Sequence, residues 1–188
     1  RIDSTITNGI ARAVHELSAT IMILGWHEKS TPFDVLFGNT ITHVLSKTTK
    51  MLWVVKTPGT KFNNSSAIHL IMPQNVQFEI GYEQLIQKVS LLSKTLKDKI
   101  VLHTVETAKE FIEPELKKEL KGYFQETILH KFGKDEIESL KIDKSDLLLI
   151  VSSRKKAISY SRSYNKFTMG LIDAYPKQNT VFIYPEQF

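Results

Sequence analysis

Two unbroken apolar runs, Ile21-Met22-Ile23-Leu24 closed by Gly25 and Met51-Leu52-Trp53-Val54-Val55, constrain this chain more than any other feature. Four or five apolar residues without alternation belong to a strand covered on both faces, and such strands occur in parallel sheets flanked by helices. Between the runs, Val35, Leu36, Ile41, Val44 and Leu45 recur at helical spacing, with Gly38-Asn39-Thr40 near the start of the series. Residues 19–56 therefore read as a strand, turn, helix and strand. The glycines fall at a strand end and a helix entry, where open α/β sheets hold their ligands.

The rest of the chain repeats this alternation. Residues 3–17 carry Ile6, Ile10, Val14 and Leu17 on one helical face, with Asp3 or Ser4 in the capping position. After TPGTKFNNSS at 57–66, a connection rich in turn formers, the pattern restarts. Ile68, Leu70 and Ile71 predict a strand ending at Pro73, and Phe78 to Leu96 an amphipathic helix with Leu85, Val89, Leu92 and Leu96 inward. Ile100 to Leu102 begins a strand ending near Val105. A helix is expected over 113–122, with Pro114 in its first turn, where the missing N–H costs nothing. Phe124 to Leu129 reads as a strand and 135–140 as a short helical run. Leu147 to Val151, introduced by Asp146, is the most apolar strand in the chain; a helix near 166–174 leads to the last strand, Thr180 to Tyr184.

The fold class is thus α/β, a flavodoxin-like or Rossmann-like doubly wound parallel sheet with right-handed crossovers. No strand precedes the first helix, so the chain is expected to begin inside a module. Strands 51–55 and 180–184 are each apolar and last in their unit, and a bare apolar edge is a liability, so they are expected to pair antiparallel.

Composition removes several function classes. With 188 residues and 41% apolar content the chain can bury a full core. No stretch approaches the ~18 consecutive apolar residues of a membrane helix. Cysteine is absent, which excludes disulfides and thiolate metal sites. The net charge of +5 comes from 21 lysines and 4 arginines dispersed along the chain, without the aromatic interleaving of a nucleic-acid surface. The histidines at 15, 27, 43, 69, 103 and 130 never form a close pair with an attendant glutamate, so no metal site is expected. His27, Glu28 and Asp34 are the titratable residues near Gly25, and nothing arranges them as a catalytic set; the chain is not expected to be an enzyme.

Gly25 and Gly38 stand thirteen positions apart with Asn39 after the second, a spacing that resembles the nucleotide signature of the universal stress protein family. That signature is a glycine, two residues, a glycine, nine residues, a glycine and then Ser, Thr or Asn. Gly25, Gly38 and Asn39 fit; Glu28 occupies the middle glycine position. The resemblance implies a nucleotide or anion pocket at Gly25, Gly38, Asn39 and Thr40, with ATP or another adenine nucleotide as the candidate ligand. The physics is a close backbone approach at glycine and the free N–H groups of a helix start. Glu28 opposes it, because a carboxylate about 4 Å from a phosphate oxygen costs on the order of 4 kcal/mol at an effective dielectric near 20. The pocket is therefore expected to be degenerate, with no resident cofactor.

A second copy of the unit follows, strands 147–151 and 180–184 matching 21–25 and 51–55. Here Val151, Arg154 and Tyr164 replace the glycines and Asn165 alone is compatible. Ser152-Ser153-Arg154-Lys155-Lys156 reads as a solvated basic loop, the alternative being an anion held by its side chains.

Together with G-I-A-R-A at 9–13, I-L-G-W-H at 23–27, L-F-G-N at 36–39 and V-F-I-Y-P-E-Q at 181–187, the chain resembles the C-terminal cytosolic region of bacterial cation/proton antiporters, which carries tandem stress-protein-like modules. The resemblance implies that residues 1–58 are the C-terminal half of a first module and 67–188 a complete second one. It implies a regulatory role on the cytoplasmic side of the bacterial inner membrane, modulating transport or assembly of the sodium- or potassium-for-proton exchanger whose transmembrane portion belongs to the same polypeptide. A homodimer is expected, with no nucleic acid partner and no direct membrane insertion. The alternative is a free-standing, ATP-binding universal stress protein.

Overall fold

The computed structural model describes residues 5–25, 39–58 and 66–187. The described elements are α1 (Ile6–Glu16), β1 (Ile21–Gly25), α2 (Asn39–Lys47), β2 (Met51–Lys56), β3 (Ala67–Ile71), α3 (Tyr82–Leu96), β4 (Lys99–Thr104), α4 (Glu106–Leu120), β5 (Phe124–Leu129), β6 (Leu147–Val151), α5 (Arg162–Ala174) and β7 (Asn179–Tyr184). Single 3-10 turns lie at Val76–Phe78 and Lys134–Glu136.

All described strands join one seven-stranded sheet in the order β1-β2-β7-β6-β3-β4-β5. Every neighbouring pair is parallel except β2 and β7, which run antiparallel with Leu52 opposite Tyr184 and Lys56 opposite Thr180. The two apolar runs expected to cover each other's edge do so. Outward from this seam, β7-β6-β3-β4-β5 is a doubly wound half sheet of its own, with its change of direction between β3 and β6.

Alternation along each strand divides the core into two layers. Leu147, Leu149, Val151, Val181 and Ile183 face α3 and α4, which contribute Leu85, Val89, Ile112 and Leu116. Leu148, Ile150, Phe182 and Tyr184 face the other layer, built from α1, α2 and α5 through Ile10, Val14, Val44, Phe167 and Leu171. Unbroken apolar runs are required because both faces are covered.

Several local expectations are corrected. The cap of α1 is Thr5, whose Oγ1 accepts from the Asn8 N–H at 3.2 Å, rather than Asp3 or Ser4. The helix foreseen over 113–122 begins at Glu106, which puts Pro114 mid-helix. Pro114 and Glu110 are both exposed, so the carbonyl that Pro114 leaves unbonded faces water and the helix tolerates it. Helix α3 begins at Tyr82, after a 3-10 turn, and α5 at Arg162, four residues earlier than foreseen, because the Ser161 hydroxyl accepts from the Tyr164 N–H. The run at 135–140 is a 3-10 turn at 134–136, so no α-helix covers the crossover from β5 to β6. That opening positions a polar chain described below.

Candidate functional site

The glycine cradle is described only in part. Gly25 closes β1, and no described atom comes within 4 Å of the position its Cβ would take. Asn39 is the first described residue of α2 and Thr40 its second. Gly38, His27, Glu28 and Asp34 lie outside the described residues, as do Val35 and Leu36.

The corresponding place in the second copy is filled by the chain itself. Its crevice lies at the carboxyl ends of β3 and β6, where the strand order reverses. Tyr164 enters it, fully enclosed, and its hydroxyl meets the carbonyls of Ile71 at 3.0 Å and Val151 at 2.8 Å. Phe132 stands edge-on to the Tyr164 ring at 4.8 Å, with Phe167 5.0 Å from Phe132. Burial pushes the Tyr164 phenol well above its ordinary range, so it remains a neutral donor. The start of α5 is capped by Ser161, whose hydroxyl takes the Tyr164 N–H.

Arg154, expected in a solvated basic loop or, alternatively, on an anion, is committed to backbone carbonyls instead. Its guanidinium donates to the carbonyls of Leu45 at 2.9 Å, Thr48 at 2.5 Å and Lys50 at 2.5 Å, and its Nε to Pro185 at 3.4 Å. It thereby closes the C-terminus of α2, where the helix dipole favours a cation. Burial pulls its pKa down to about 10, leaving it charged at neutral pH. The segment after β7 reinforces the same joint. Glu186 pairs with Lys50 at 2.6 Å and accepts from the Gly81 N–H at 3.1 Å, and Gln187 donates to Thr49 at 2.8 Å. A Cβ on Gly81 would collide with the Glu186 backbone, so glycine is required there. Lys155 and Lys156 remain exposed beside a cleft of about 550 Å3 between this loop and α2.

The most unusual arrangement is one that sequence reading missed. Five side chains form a continuous line across β3, β4 and β5 on the face that carries α5, at the end where the crossover from β5 to β6 has no α-helix. The Asp146 Oδ2 lies 3.1 Å from His69 Nε2, and His69 Nδ1 lies 2.8 Å from His103 Nε2. His103 Nδ1 then lies 2.9 Å from His130 Nε2, and His130 Nδ1 3.0 Å from Glu136 Oε2. All three imidazoles and Asp146 are buried. Burial holds His103 down at about 2, assisted by its two histidine neighbours, and burial also lowers His69 against the opposing pull of Asp146. Burial works against the charge of Asp146, yet donation from Ser66, the Asp143 N–H and His69 outweighs it and holds the carboxyl below its ordinary range. Because the ring nitrogens face one another with a proton between them, they are not free to converge on a metal. Among the described residues no group of three or more His, Cys, Asp or Glu does so.

The fold and this site define a class: a doubly wound, mostly parallel α/β sheet joined antiparallel at β2 and β7, with one crevice occupied by its own tyrosine. The model of the Universal stress protein family matches residues 2–56. A crystal structure of a universal stress protein from Archaeoglobus fulgidus DSM 4304 superposes with a TM-score of 0.56 at 12% identity, over 96% of this chain and 65% of that one. A second, from Pseudomonas aeruginosa UCBPP-PA14 and likewise described as belonging to the universal stress proteins, gives 0.53 at 9% identity, over 97% and 69%. This chain thus spans about two thirds of the length of both, and shares their fold. No curated protein matches it. No helix among the described residues is long and apolar enough to cross a membrane.

Proposed function

We propose that the chain is the cytosolic regulatory region of a bacterial sodium- or potassium-for-proton antiporter, acting by binding and conformation rather than by catalysis, and without a resident cofactor. The observation that carries this reading is Tyr164, which fills the crevice where a nucleotide-using module would hold its ligand. A module whose cradle is occupied by its own core serves as a scaffold. The antiporter assignment is supported by the resemblance of the runs at 9–13, 23–27, 36–39 and 181–187 to such regions. The transmembrane portion of the same polypeptide is the proposed partner, at the cytoplasmic face of the inner membrane. Among the described residues β1 has a partner on one side only, with Ile23 67% exposed, and a homodimer or adjoining sequence is proposed to cover that edge.

The test is transport. The reading frame upstream of Arg1 is expected to encode about a dozen apolar segments of ~20 residues. In everted vesicles holding that polypeptide, removal of residues 1–188 should change the rate or pH profile of cation-driven proton movement. A frame without such segments, or unaltered transport, would end the proposal. The match of residues 2–56 favours a second reading, a free-standing stress protein that binds ATP at Gly25, Gly38, Asn39 and Thr40.

A further inference from the structure

We propose that Asp146, His69, His103, His130 and Glu136 together form a binding site for one proton, and that this proton clamps the connection between β5 and β6 onto the sheet. The proposal begins with a count of hydrogens. The line contains four links, from Asp146 to His69, His69 to His103, His103 to His130 and His130 to Glu136. Each needs one hydrogen between its two heavy atoms. A neutral imidazole brings one N–H and an ionised carboxylate brings none. Three neutral histidines therefore complete three links and leave the fourth as two acceptors facing each other at hydrogen-bond distance. One additional proton completes the line, with one imidazolium between two carboxylates.

The geometry also says where the gap falls when that proton is absent. Asp146 already accepts from the Ser66 hydroxyl at 2.7 Å, the Ala67 N–H at 3.2 Å and the Asp143 N–H at 3.0 Å, and is buried. It cannot turn away, so the three N–H groups run toward it: His69 donates to Asp146, His103 to His69 and His130 to His103. The open link is then His130 Nδ1 against Glu136 Oε2. The Glu136 side chain is 28% exposed, the Asp146 side chain 5%, so only the Glu136 end opens to solvent. The middle of the line stays neutral, since His103 is enclosed on all sides.

The surroundings favour a positive charge at this end. A cavity of about 620 Å3 beside the line is bordered by Glu126 of β5 and by Glu136, Asp143 and Asp146, with Lys141 as the opposing cation. Phe132 stacks on His130 at 5.8 Å and Phe167 approaches it at the same distance, so the ring faces carry no competing charge. Glu136 belongs to the 3-10 turn of the crossover, and its carboxylate also accepts the Lys131 N–H at 2.9 Å. With the proton in place, Glu136 ties residues 130–136 to the sheet. Without it the carboxylate is repelled from His130 and can swing into water. Phe132, next to this joint, holds a left-handed backbone at φ 54° that a bulky residue rarely adopts, a conformation the docked crossover must impose.

Imidazole nitrogen NMR on the 188-residue chain from pH 5 to 9 tests this. Both His130 nitrogens are expected to become protonated as the pH falls, His103 to keep a single N–H throughout, and couplings to appear across both imidazole-to-imidazole links. Amide exchange of residues 130–146, corrected for its intrinsic pH dependence, should slow on acidification. Glu136→Gln supplies an amide N–H to His130 Nδ1 and closes the fourth link without an extra proton. This variant should take up about one proton fewer over that range, with exchange in 130–146 slow at every pH. A neutral His130 across the range in the unmodified chain, or equal proton uptake by Glu136→Gln, would overturn the proposal. Because only this chain is measured, failure here and failure of the antiporter reading are separate results.

Discussion

The half of the molecule that runs from β1 to β2 and the half from β6 to β7 share one described order, strand, helix, strand, and meet at the β2–β7 seam. At the strand end the first half places Gly25, with open space where a side chain would go among the described residues. The second places Val151, Arg154 and Tyr164 at the three glycine positions, and each has acquired a structural partner. Val151 lies in the core, Arg154 binds the α2 carbonyls across the seam, and Tyr164 bonds two strand ends. Loss of a glycine signature here is therefore a change of employment for the backbone cradle. The histidines divide the same way: His15 and His43 are exposed, whereas His69, His103 and His130 are buried.

The largest test of this contrast is Tyr164→Ala. It empties the second crevice and should cost about 4 kcal/mol in denaturant unfolding, the range for deleting an enclosed aromatic ring. A loss under 1 kcal/mol would mean that the crevice is already open. Acid comes next. His103 is neutral when folded but titrates near 6.5 when unfolded, so below that pH the unfolded state binds the extra proton and stability falls with falling pH. From pH 6.5 to 4.5 this one residue should remove about 2 kcal/mol, with His69 acting in the same direction. His103→Asn should flatten that part of the unfolding profile, and an unchanged slope would place the buried bases elsewhere.

Arg154→Met keeps the stem but strands the carbonyls of Leu45, Thr48 and Lys50, for an expected loss of about 2 kcal/mol. Hydrogen exchange should quicken in α2 and β2 and stay slow in β3 and β4. The smallest effect concerns the first half. ATP is expected to bind weakly or not at all, and Glu28→Gly to improve binding about tenfold, or about 1.4 kcal/mol. Micromolar binding by the unmodified chain in calorimetry, unaffected by Glu28→Gly, would show that the two halves differ less than their glycines suggest.

The strands were legible because strands covered on both faces must be apolar throughout, as 51–55, 147–151 and 181–184 are; 21–25 carries the same signal although Ile23 is 67% exposed among the described residues. Their antiparallel seam followed from the need to cover two apolar edges. Helix starts were less legible, since Pro114 marks a first turn only when the carbonyl four residues earlier has no access to water, and here it has. The role of Arg154 was invisible because the carbonyls of Leu45, Thr48 and Lys50 lie 104 to 109 residues away in the chain. The histidine line was missed because its members are 34 and 27 residues apart. A signal existed nonetheless: Ile68-His69, Leu102-His103 and Leu129-His130 each put a histidine after an apolar residue at or next to three strands that lie side by side.

The β2–β7 seam has a further consequence because both of its strands belong to one chain, the part ending at β2 being joined to the part that carries β3 through β7 by residues 57–66. Between separate polypeptides such a seam would dissolve on dilution. Tethered by a short connection, it experiences an effective concentration in the millimolar range whatever the amount of protein in the cell. The two halves are consequently held in fixed one-to-one stoichiometry, and the joint formed by Arg154, Glu186 and Lys50 remains made at copy numbers where a two-chain version would come apart.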